Sequence, residues 1–310
     1  MSLNHSVLIC DQVNPTLNEI LEKNGLSITY EPEIKPEEIS EKIENFDVVI
    51  VRSRTKITKE LIERADKCKI IARVGVGLDN IDQVAAKEKN IRVINAVEGA
   101  MNAVAELVIG LMLSLAREIP RADREVRNGN WIKKELMGSE LRGKYLGIIG
   151  LGNIGKRLGR LARALNMNII GFDVVPIDEE FSKEVGLMKA DLGTLLASAD
   201  YVSLHVPLLD STKHMINAEK IATMKKTARI INTSRGGVID EDALYDSLKD
   251  GKLGGAALDV FEVEPATSNN LAALPNFIST PHRGAQTKEA QSLAANVIAE
   301  KIIQILRGVI

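Results

Sequence analysis

The chain is poor in cysteine and histidine and carries almost no net charge. Its 310 residues hold two cysteines and four histidines, and 40 Lys and Arg nearly balance 42 Asp and Glu, leaving a formal charge of −2. Cys10 and Cys68 form no CxxC-type spacing, so neither a disulfide framework nor a cysteine metal motif is expected. Such usage suggests a reducing, cytoplasmic compartment. The charge balance removes any global electrostatic reason to expect nucleic acid or an anionic membrane as partner. Long apolar runs are missing too. The longest, Leu107 to Ala116, is interrupted by Gly110 and Ser114 and is too short to cross a bilayer. Met1 to Cys10 lacks the basic start and apolar core of a signal peptide. What remains is a globular composition, 45% hydrophobic and 26% charged, long enough for two domains of ordinary size.

What is present centres on one stretch. The apolar run Tyr145 to Ile149 reads as a buried strand and is followed by Gly150, Gly152 and Gly155 at GxGxxG spacing. A helical pattern then opens at Asn153 and Ile154, with Leu158, Leu161 and Leu165 continuing the apolar face. Strand, glycine turn and helix N-terminus together make an anion site, because unpaired backbone N–H groups and the positive helix end point at the same place. Gly150 allows the tight turn, Gly152 lets a pyrophosphate approach the backbone, and Gly155 lets helix and strand pack closely. A second apolar run, Asn168 to Phe172, ends at Asp173, about twenty residues past the first glycine as a dinucleotide fingerprint requires. A carboxylate there can accept from both ribose hydroxyls and would repel a 2′-phosphate. The expected cofactor is NAD rather than NADP.

The first hundred residues alternate short strands and helices without a glycine fingerprint after the first strand. Strands are expected at Val7–Cys10, Ile28–Tyr30, Asp47–Val51 and Ile70–Arg73, and helices at Pro15–Asn24, Pro36–Glu44 and Lys59–Ala65, the last capped by Thr58. That half should hold the substrate. The longest helical pattern, 100–127, is more apolar than one face needs and should be buried between domains or subunits. Later strands are expected at Asp200–Leu204, Ala228–Asn232, Gly254–Leu258 and Phe277–Ser279, with helices at Leu192–Ala197, Glu219–Met224, Glu241–Lys249 and Lys288–Leu306. The fold class is therefore α/β, two doubly wound parallel-sheet (Rossmann-like) domains with a cleft between them. The substrate domain is expected to be discontinuous, 1–98 plus 283–310, around a dinucleotide domain at 99–282.

Few side chains are equipped for acid–base chemistry. His5 lies at the start of the chain, His205 at a strand end, His214 in a turn before a helix, and His282 in a Pro/Gly loop after the Phe277–Ser279 strand. Any one histidine is more often a satisfied surface or core residue than a catalyst. Two neighbouring groups raise the standing of His282. Arg235 follows an apolar strand and is flanked by Gly236 and Gly237, where its fork can clamp a carboxylate with two parallel hydrogen bonds. Asp259, Glu262 and Glu264 follow another strand, and a carboxylate beside His282 would raise its pKa and set its tautomer.

Taken in order, Gly150-Leu-Gly-Asn-Ile-Gly155 with Asp173, Val202-Ser-Leu-His-Val-Pro-Leu208, Ile231-Asn-Thr-Ser-Arg-Gly-Gly237, Ala257-Leu-Asp-Val-Phe-Glu-Val-Glu-Pro265 and Thr280-Pro-His282 resemble the NAD-dependent D-2-hydroxyacid dehydrogenases over nearly the whole chain. Arg73-Val-Gly-Val-Gly77 and Val51-Arg-Ser-Arg-Thr-Lys56 are most similar to the D-3-phosphoglycerate branch. The resemblance implies Arg235 as carboxylate clamp, Glu264 as partner of the histidine, and His282 as acid and base. It implies Arg52, Ser53, Arg73, Gly75 and Val76 around the substrate, with Arg52 and Arg73 near its phosphate. Gly150, Gly152, Asn153, Ile154, Gly155, Asp173, His205, Pro207, Thr212, Thr233, Ser234, Asp259 and Gly284 would then line the nucleotide site. The implied reaction is oxidation of D-3-phosphoglycerate to 3-phosphohydroxypyruvate, the first step of serine biosynthesis, in a homodimer joined through helix 100–127. Longer members carry an extra C-terminal regulatory domain that is not expected here. A glyoxylate/hydroxypyruvate or other D-2-hydroxyacid reductase is the alternative of the same class, and an NADH-sensing corepressor-like binding protein is the alternative of another kind. One departure is Arg283, where the family usually has an apolar residue; a cation there would oppose Glu264, point away from the pair, or meet the substrate phosphate.

Overall fold

Short β-branched runs alternate with amphipathic segments along the chain, and almost every run becomes a parallel strand. A computed structural model describes residues 3–267 and 269–309. It divides into two units, one reaching to Met101 and resumed from Ala285, the other Asn102–Gly284.

The first unit runs β1 (Ser6–Ile9), α1 (Thr16–Lys23), β2 (Ser27–Tyr30), α2 (Pro36–Lys42), β3 (Val48–Val51), α3 (Lys59–Arg64), β4 (Ile70–Arg73), α4 (Gln83–Glu88) and β5 (Arg92–Asn95). Its strands lie in the order β2-β1-β3-β4-β5, every pair parallel. The two-residue strand period sends Val7, Ile9 and Ile50 to one face, where they pack with Leu17 and Leu21 of α1. It sends Leu8, Val49 and Val51 to the other, against Ile39, Leu61 and Ile62. Complete burial of each such side chain contributes roughly 1.5–3 kcal/mol. The last helix of the chain packs on the first of these faces.

α5 (Val97–Arg117) and α6 (Ile119–Arg127) lead into the second unit. The continuous helix expected over 100–127 is broken at Glu118, whose φ is 50°, and α6 restarts with Pro120 in its first turn, a position where proline's missing N–H costs nothing. Taken as a helix rather than as an unbroken apolar run, Val97–Arg117 is long and apolar enough to cross a bilayer, but 56% of its 18-residue apolar window is buried within the protein. Val108, Leu111, Met112 and Leu115 join the core of the second unit, so it is a core helix here.

The second unit continues with β6 (Tyr145–Ile149), α7 (Asn153–Ala164), β7 (Asn168–Phe172), α8 (Glu179–Val185), β8 (Met188–Lys189), α9 (Leu192–Ser198), β9 (Tyr201–Leu204), α10 (Ala218–Ala222), β10 (Arg229–Asn232), α11 (Glu241–Lys249), β11 (Gly255–Leu258) and β12 (Phe277–Ser279). The strands lie β12-β11-β10-β9-β6-β7-β8 and are parallel. The chain runs outward from β6 to β8 and then returns to β9 on the other side. Ligands of open α/β sheets bind beyond the carboxyl ends of the strands at such a reversal. α12 (Lys288–Leu306) closes the chain in the first unit, with Ala294, Ala295, Ile298 and Ile302 in the same core as α1.

Four elements were not expected from the sequence. β5 and β8 are short edge strands with half-exposed side chains, so no apolar run announces them. α4 and α8 are brief helices whose signals are their caps: Asp82 accepts from the Ala85 N–H, and Asp178 from those of Glu180 and Phe181, with Gly186 ending α8 at φ 64°. Thr58 does stand at the start of α3, but its side chain makes no cap bond.

Candidate active site

In the second unit the three glycines after β6 occupy three different environments. Gly150 has φ 92°, and a Cβ there would lie 2.5 Å from the His205 carbonyl oxygen. A Cβ on Gly155 would lie 2.1 Å from the Gly150 carbonyl oxygen, so strand and helix meet backbone to backbone. A Cβ on Gly152 would meet nothing within 4 Å. Gly152 is the N-cap of α7, and the first-turn N–H groups of a helix have no partner within it. The turn is thus closed where it packs and open where an anion would approach. Asn153 and Ile154 form that first turn.

Asp173, just past β7, is held by the same turn. Its Oδ2 accepts the Leu151 N–H at 2.6 Å and its Oδ1 the Val175 N–H at 3.2 Å. The carboxylate is aligned before any ligand arrives. Thr233, 9% exposed, has an Oγ1 that is buried without a hydrogen-bond partner among the described residues. An open phosphate cradle, an aligned carboxylate and an orphan hydroxyl fit a dinucleotide carrying an unsubstituted adenosine ribose.

Other residues expected near the nucleotide also sit at strand ends. The His205 ring lies 2.9 Å from Ser203 Oγ, and burial pulls its pKa down to about 4, so it is neutral at pH 7. Thr212 Oγ1 donates to the Pro207 carbonyl at 2.6 Å and accepts the Leu209 N–H at 2.8 Å, which shapes the loop after β9. Ser234 Oγ donates to Asn232 Oδ1 at 2.7 Å, while Asn232 Nδ2 donates to the Arg235 carbonyl at 2.8 Å. Asn232, the last residue of β10, therefore folds the turn that presents Arg235, whose Nη1 donates to the Ser234 carbonyl at 2.6 Å.

His282 and Glu264, expected from the sequence to pair, lie side by side. His282 Nδ1 lies 2.8 Å from Glu264 Oε2, and the two side chains are 50% and 38% exposed. Glu264 Oε1 accepts the Phe261 N–H at 3.1 Å, so the carboxylate is tied to its own loop. His282 has φ 48°, a left-handed conformation that needs external support in a non-glycine residue. Asp259 provides it. Its carbonyl accepts the His282 N–H at 2.8 Å. Its carboxylate, 1% exposed, accepts from Thr280 Oγ1 at 2.6 Å, the Arg283 N–H at 2.9 Å and the Gly284 N–H at 2.8 Å. Asp259 thus organises the whole loop that carries His282. The Arg283 side chain is exposed and forms no ion pair among the described residues.

The remaining candidates lie in the first unit. The backbone N–H groups of Arg52 and Thr55 both donate to Asp11 Oδ2, and Thr55 Oγ1 donates to Asp11 Oδ1 at 2.7 Å. Asp11, 2% exposed, also meets Arg54 Nε at 3.1 Å. The turn that bears Arg52 and the exposed Ser53 is therefore wrapped around a buried carboxylate. Arg52 Nη2 donates to Gln286 Oε1 at 3.2 Å, and burial lowers the guanidinium's pKa from its ordinary value. Arg73 donates to the carbonyls of Arg52, at 3.1 Å, and Gly77. Asn80 Nδ2 bridges the carbonyls of Arg52 at 2.8 Å and Thr55 at 2.6 Å. Gly75 N–H is used within its own turn, donating to the Arg73 carbonyl at 2.9 Å, whereas the Val76 N–H has no acceptor among the described residues. Asp11, Asn80, Asn232 and Gln286 were not anticipated. A lone polar residue directly after a fully apolar strand is the one signal that could have marked Asp11.

Comparison with known proteins gives these positions a context. The sequence model of the D-isomer specific 2-hydroxyacid dehydrogenase NAD binding domain matches residues 109–284. A D-3-phosphoglycerate dehydrogenase of Methanocaldococcus jannaschii is 48% identical over 97% of this chain and 57% of its own length. A hydroxypyruvate reductase of Thermotoga maritima is 46% identical over 93% of both chains. The crystal structure of a glyoxylate reductase from Paecilomyes thermophila superposes with a TM-score of 0.90 at 30% identity, covering 98% of this chain and 95% of that one. The chain spans little more than half the length of the D-3-phosphoglycerate dehydrogenases it matches.

Proposed function

The chain belongs to the D-isomer specific 2-hydroxyacid dehydrogenases, NAD-dependent oxidoreductases, and from that premise we propose that it oxidises D-3-phosphoglycerate to 3-phosphohydroxypyruvate. The observation that carries the substrate choice is Arg52. Its guanidinium is partly buried, meets a single neutral acceptor in Gln286, and forms no ion pair among the described residues. Asp11 is the one carboxylate whose charge reaches it, and that carboxylate is already engaged by Arg54 and by backbone N–H groups, so a partly desolvated guanidinium is left to suit a phosphate. The relative at 48% identity supports the same choice. Arg73, by contrast, spends donors on the carbonyls of Arg52 and Gly77, which makes it a support for the Arg52 turn as much as a ligand.

The chemistry follows from the second unit. Arg235 anchors the substrate carboxylate. Glu264, as acceptor, keeps a proton on His282 Nδ1 and leaves Nε2 as the base that takes the hydroxyl proton. In the reverse direction the imidazolium returns that proton to the carbonyl oxygen, and Glu264 stabilises its charge. Bound NAD supplies the hydride acceptor. The cradle at Gly152 and α7, with Asp173, would hold its pyrophosphate and adenosine ribose, and Thr233 Oγ1 offers a further hydrogen bond. His205, Pro207, Thr212, Ser234, Asp259 and Gly284 shape the strand ends around it. The Val76 N–H would donate to a substrate oxygen.

A second reading is reduction of hydroxypyruvate or glyoxylate. It is favoured by the hydroxypyruvate reductase, which this chain matches over almost its entire length. A panel of phosphorylated and unphosphorylated substrates decides between them. Arg52→Ala should lower kcat/KM for the phosphorylated substrate about tenfold or more, the loss of one charge-assisted contact, and leave the unphosphorylated one within about twofold. Equal losses on both overturn the phosphate assignment. We further infer a homodimer formed through α5 and α6, since Trp131, Met137 and Val126 are 83%, 89% and 56% exposed near them. Light scattering at the mass of one chain, 33.8 kDa, overturns it. We also infer a cytoplasmic location, for which the two cysteines being free and buried is the support.

A further inference from the structure

His214 stands outside both the clamp and the acid–base pair, yet it is bonded to the loops that carry each. It has φ 48°, a conformation that persists in a non-glycine residue when its surroundings determine it. Those surroundings are the two loops. Its backbone N–H donates to the Gly237 carbonyl at 2.7 Å, in the turn that presents Arg235. Its ring Nε2 lies 3.0 Å from Glu262 Oε1, two residues before Glu264. Glu262 is anchored in turn. Its N–H donates to Glu241 Oε1 at 2.6 Å, and its Oε1 accepts the Glu241 N–H at 3.3 Å. Asn269 Nδ2 holds the other Glu241 oxygen at 2.8 Å. The same turn and loop also touch at Gly236, where a Cβ would lie 1.8 Å from the Phe261 carbonyl oxygen.

We propose that His214 is a positioning residue: bonded to the Arg235 turn through its backbone and to the Glu264 loop through its ring, it sets the spacing between the carboxylate clamp and the acid–base pair. The proposal rests on the roles given above to Arg235, Glu264 and His282. Two strand-end loops that approach each other can shift independently, and displacing a catalytic group by about 1 Å can cost up to ~10²-fold in rate. The His214 ring bond joins side chains that are 37% and 36% exposed, so its loss should cost less, about 3- to 10-fold. Gly236 sets how closely turn and loop pack; His214 sets their register along the contact.

Steady-state kinetics on the full chain test this, using 3-phosphohydroxypyruvate or hydroxypyruvate, whichever the wild type turns over. His214→Ala should lower kcat about 3- to 10-fold with the NADH Kd unchanged by fluorescence titration. His214→Gln, which keeps a side-chain donor, should recover most of the rate. Glu262→Ala should lower kcat equally, and the double variant no further, because both changes break one bond. Wild-type kcat in His214→Ala and Glu262→Ala, with His282→Ala inactive, overturns the proposal and leaves the reaction assignment standing. Multiplicative losses in the double variant also overturn it, as does a loss shared by NADH binding and not rescued by Gln. If His282→Ala keeps wild-type turnover, the acid–base assignment fails and the proposal falls with it. Should His214→Ala not fold, Glu262→Ala at its exposed side chain decides: unchanged kcat there overturns the proposal.

Discussion

At the reversal point of the Asn102–Gly284 sheet, the chain leaves β6 through Gly150 and enters α7 with Gly152 facing open space. At the reversal point of the first sheet, between β1 and β3, it leaves β1 through Cys10 and Asp11, and the Asp11 carboxylate takes the N–H groups of Arg52 and Thr55. One crevice spends the Leu151 N–H on Asp173 but leaves the first-turn N–H groups of α7 for a ligand. The other fills its backbone donors with a carboxylate of its own and displays a cation, Arg52, at the rim. Two sheets wound alike thus become a nucleotide cradle and an anchored arginine turn through the residue that follows one strand.

The comparison is broken most directly at His282. If the second unit owns the chemistry, His282→Ala should lower kcat by about 10²–10⁴-fold while NADH still binds; near-wild-type turnover would remove the division of labour. The next largest effect is expected at Asp11. Asp11→Ala strands the buried N–H of Thr55 and that of Arg52, and should cost about 2–4 kcal/mol of stability in urea unfolding. NADH affinity should be unchanged, and a matched loss of NADH binding would show that the carboxylate does more than shape its own turn. Asp173→Ala sharpens the other side. It should weaken NADH by about 1–3 kcal/mol and narrow the preference over NADPH, whereas equal selectivity before and after would clear Asp173 of that role.

An effect of similar size concerns acid. Burial holds His205 at about 4, against an ordinary 6.5. Unfolded chains therefore take up this proton first as pH falls. The stability due to a neutral His205 is intact above about 6.5 and is lost progressively between 6.5 and 4, by on the order of 1–3 kcal/mol. In the first unit, burial pushes the Asp47 carboxyl up, but hydrogen bonds from Ser6, Lys69 and His5 outweigh it and bring it to about 2, so that loss waits until pH falls below about 4. Denaturant melts at pH 7, 5.5 and 4.5 should show a slope that His205→Asn flattens. An unchanged slope in that variant would refute the assignment.

Local chemistry explains what could be read beforehand. Tyr145–Ile149, Asn168–Phe172 and Glu241–Lys249 were legible to the residue because each run carries its own period and its own boundary, a glycine, an aspartate or a cap. The meeting of Glu264 with His282 was legible from order and motif. The break at Glu118 was not, because a charged residue in the left-handed region has no distinctive sequence mark and only Pro120 hints at a restart. β5 was missed because an edge strand covered on few sides needs little apolar sequence. For His214, nothing near it in sequence shows that Glu262 will be its partner.

By itself the sequence determined the alternation of strands and helices, the glycine turn with Asp173, and the residue types able to clamp a carboxylate and move a proton. All of these depend on neighbours within a few residues or on a fixed strand–turn–helix spacing. Only the tertiary structure decided that Asp11 is spent on Thr55, 44 residues away, that Arg52 meets Gln286 across 234 residues, and that His214 reaches Glu262 across 48. Those pairings depend on which strands become neighbours in a parallel sheet, and strand order is a property of the packed chain rather than of any local segment.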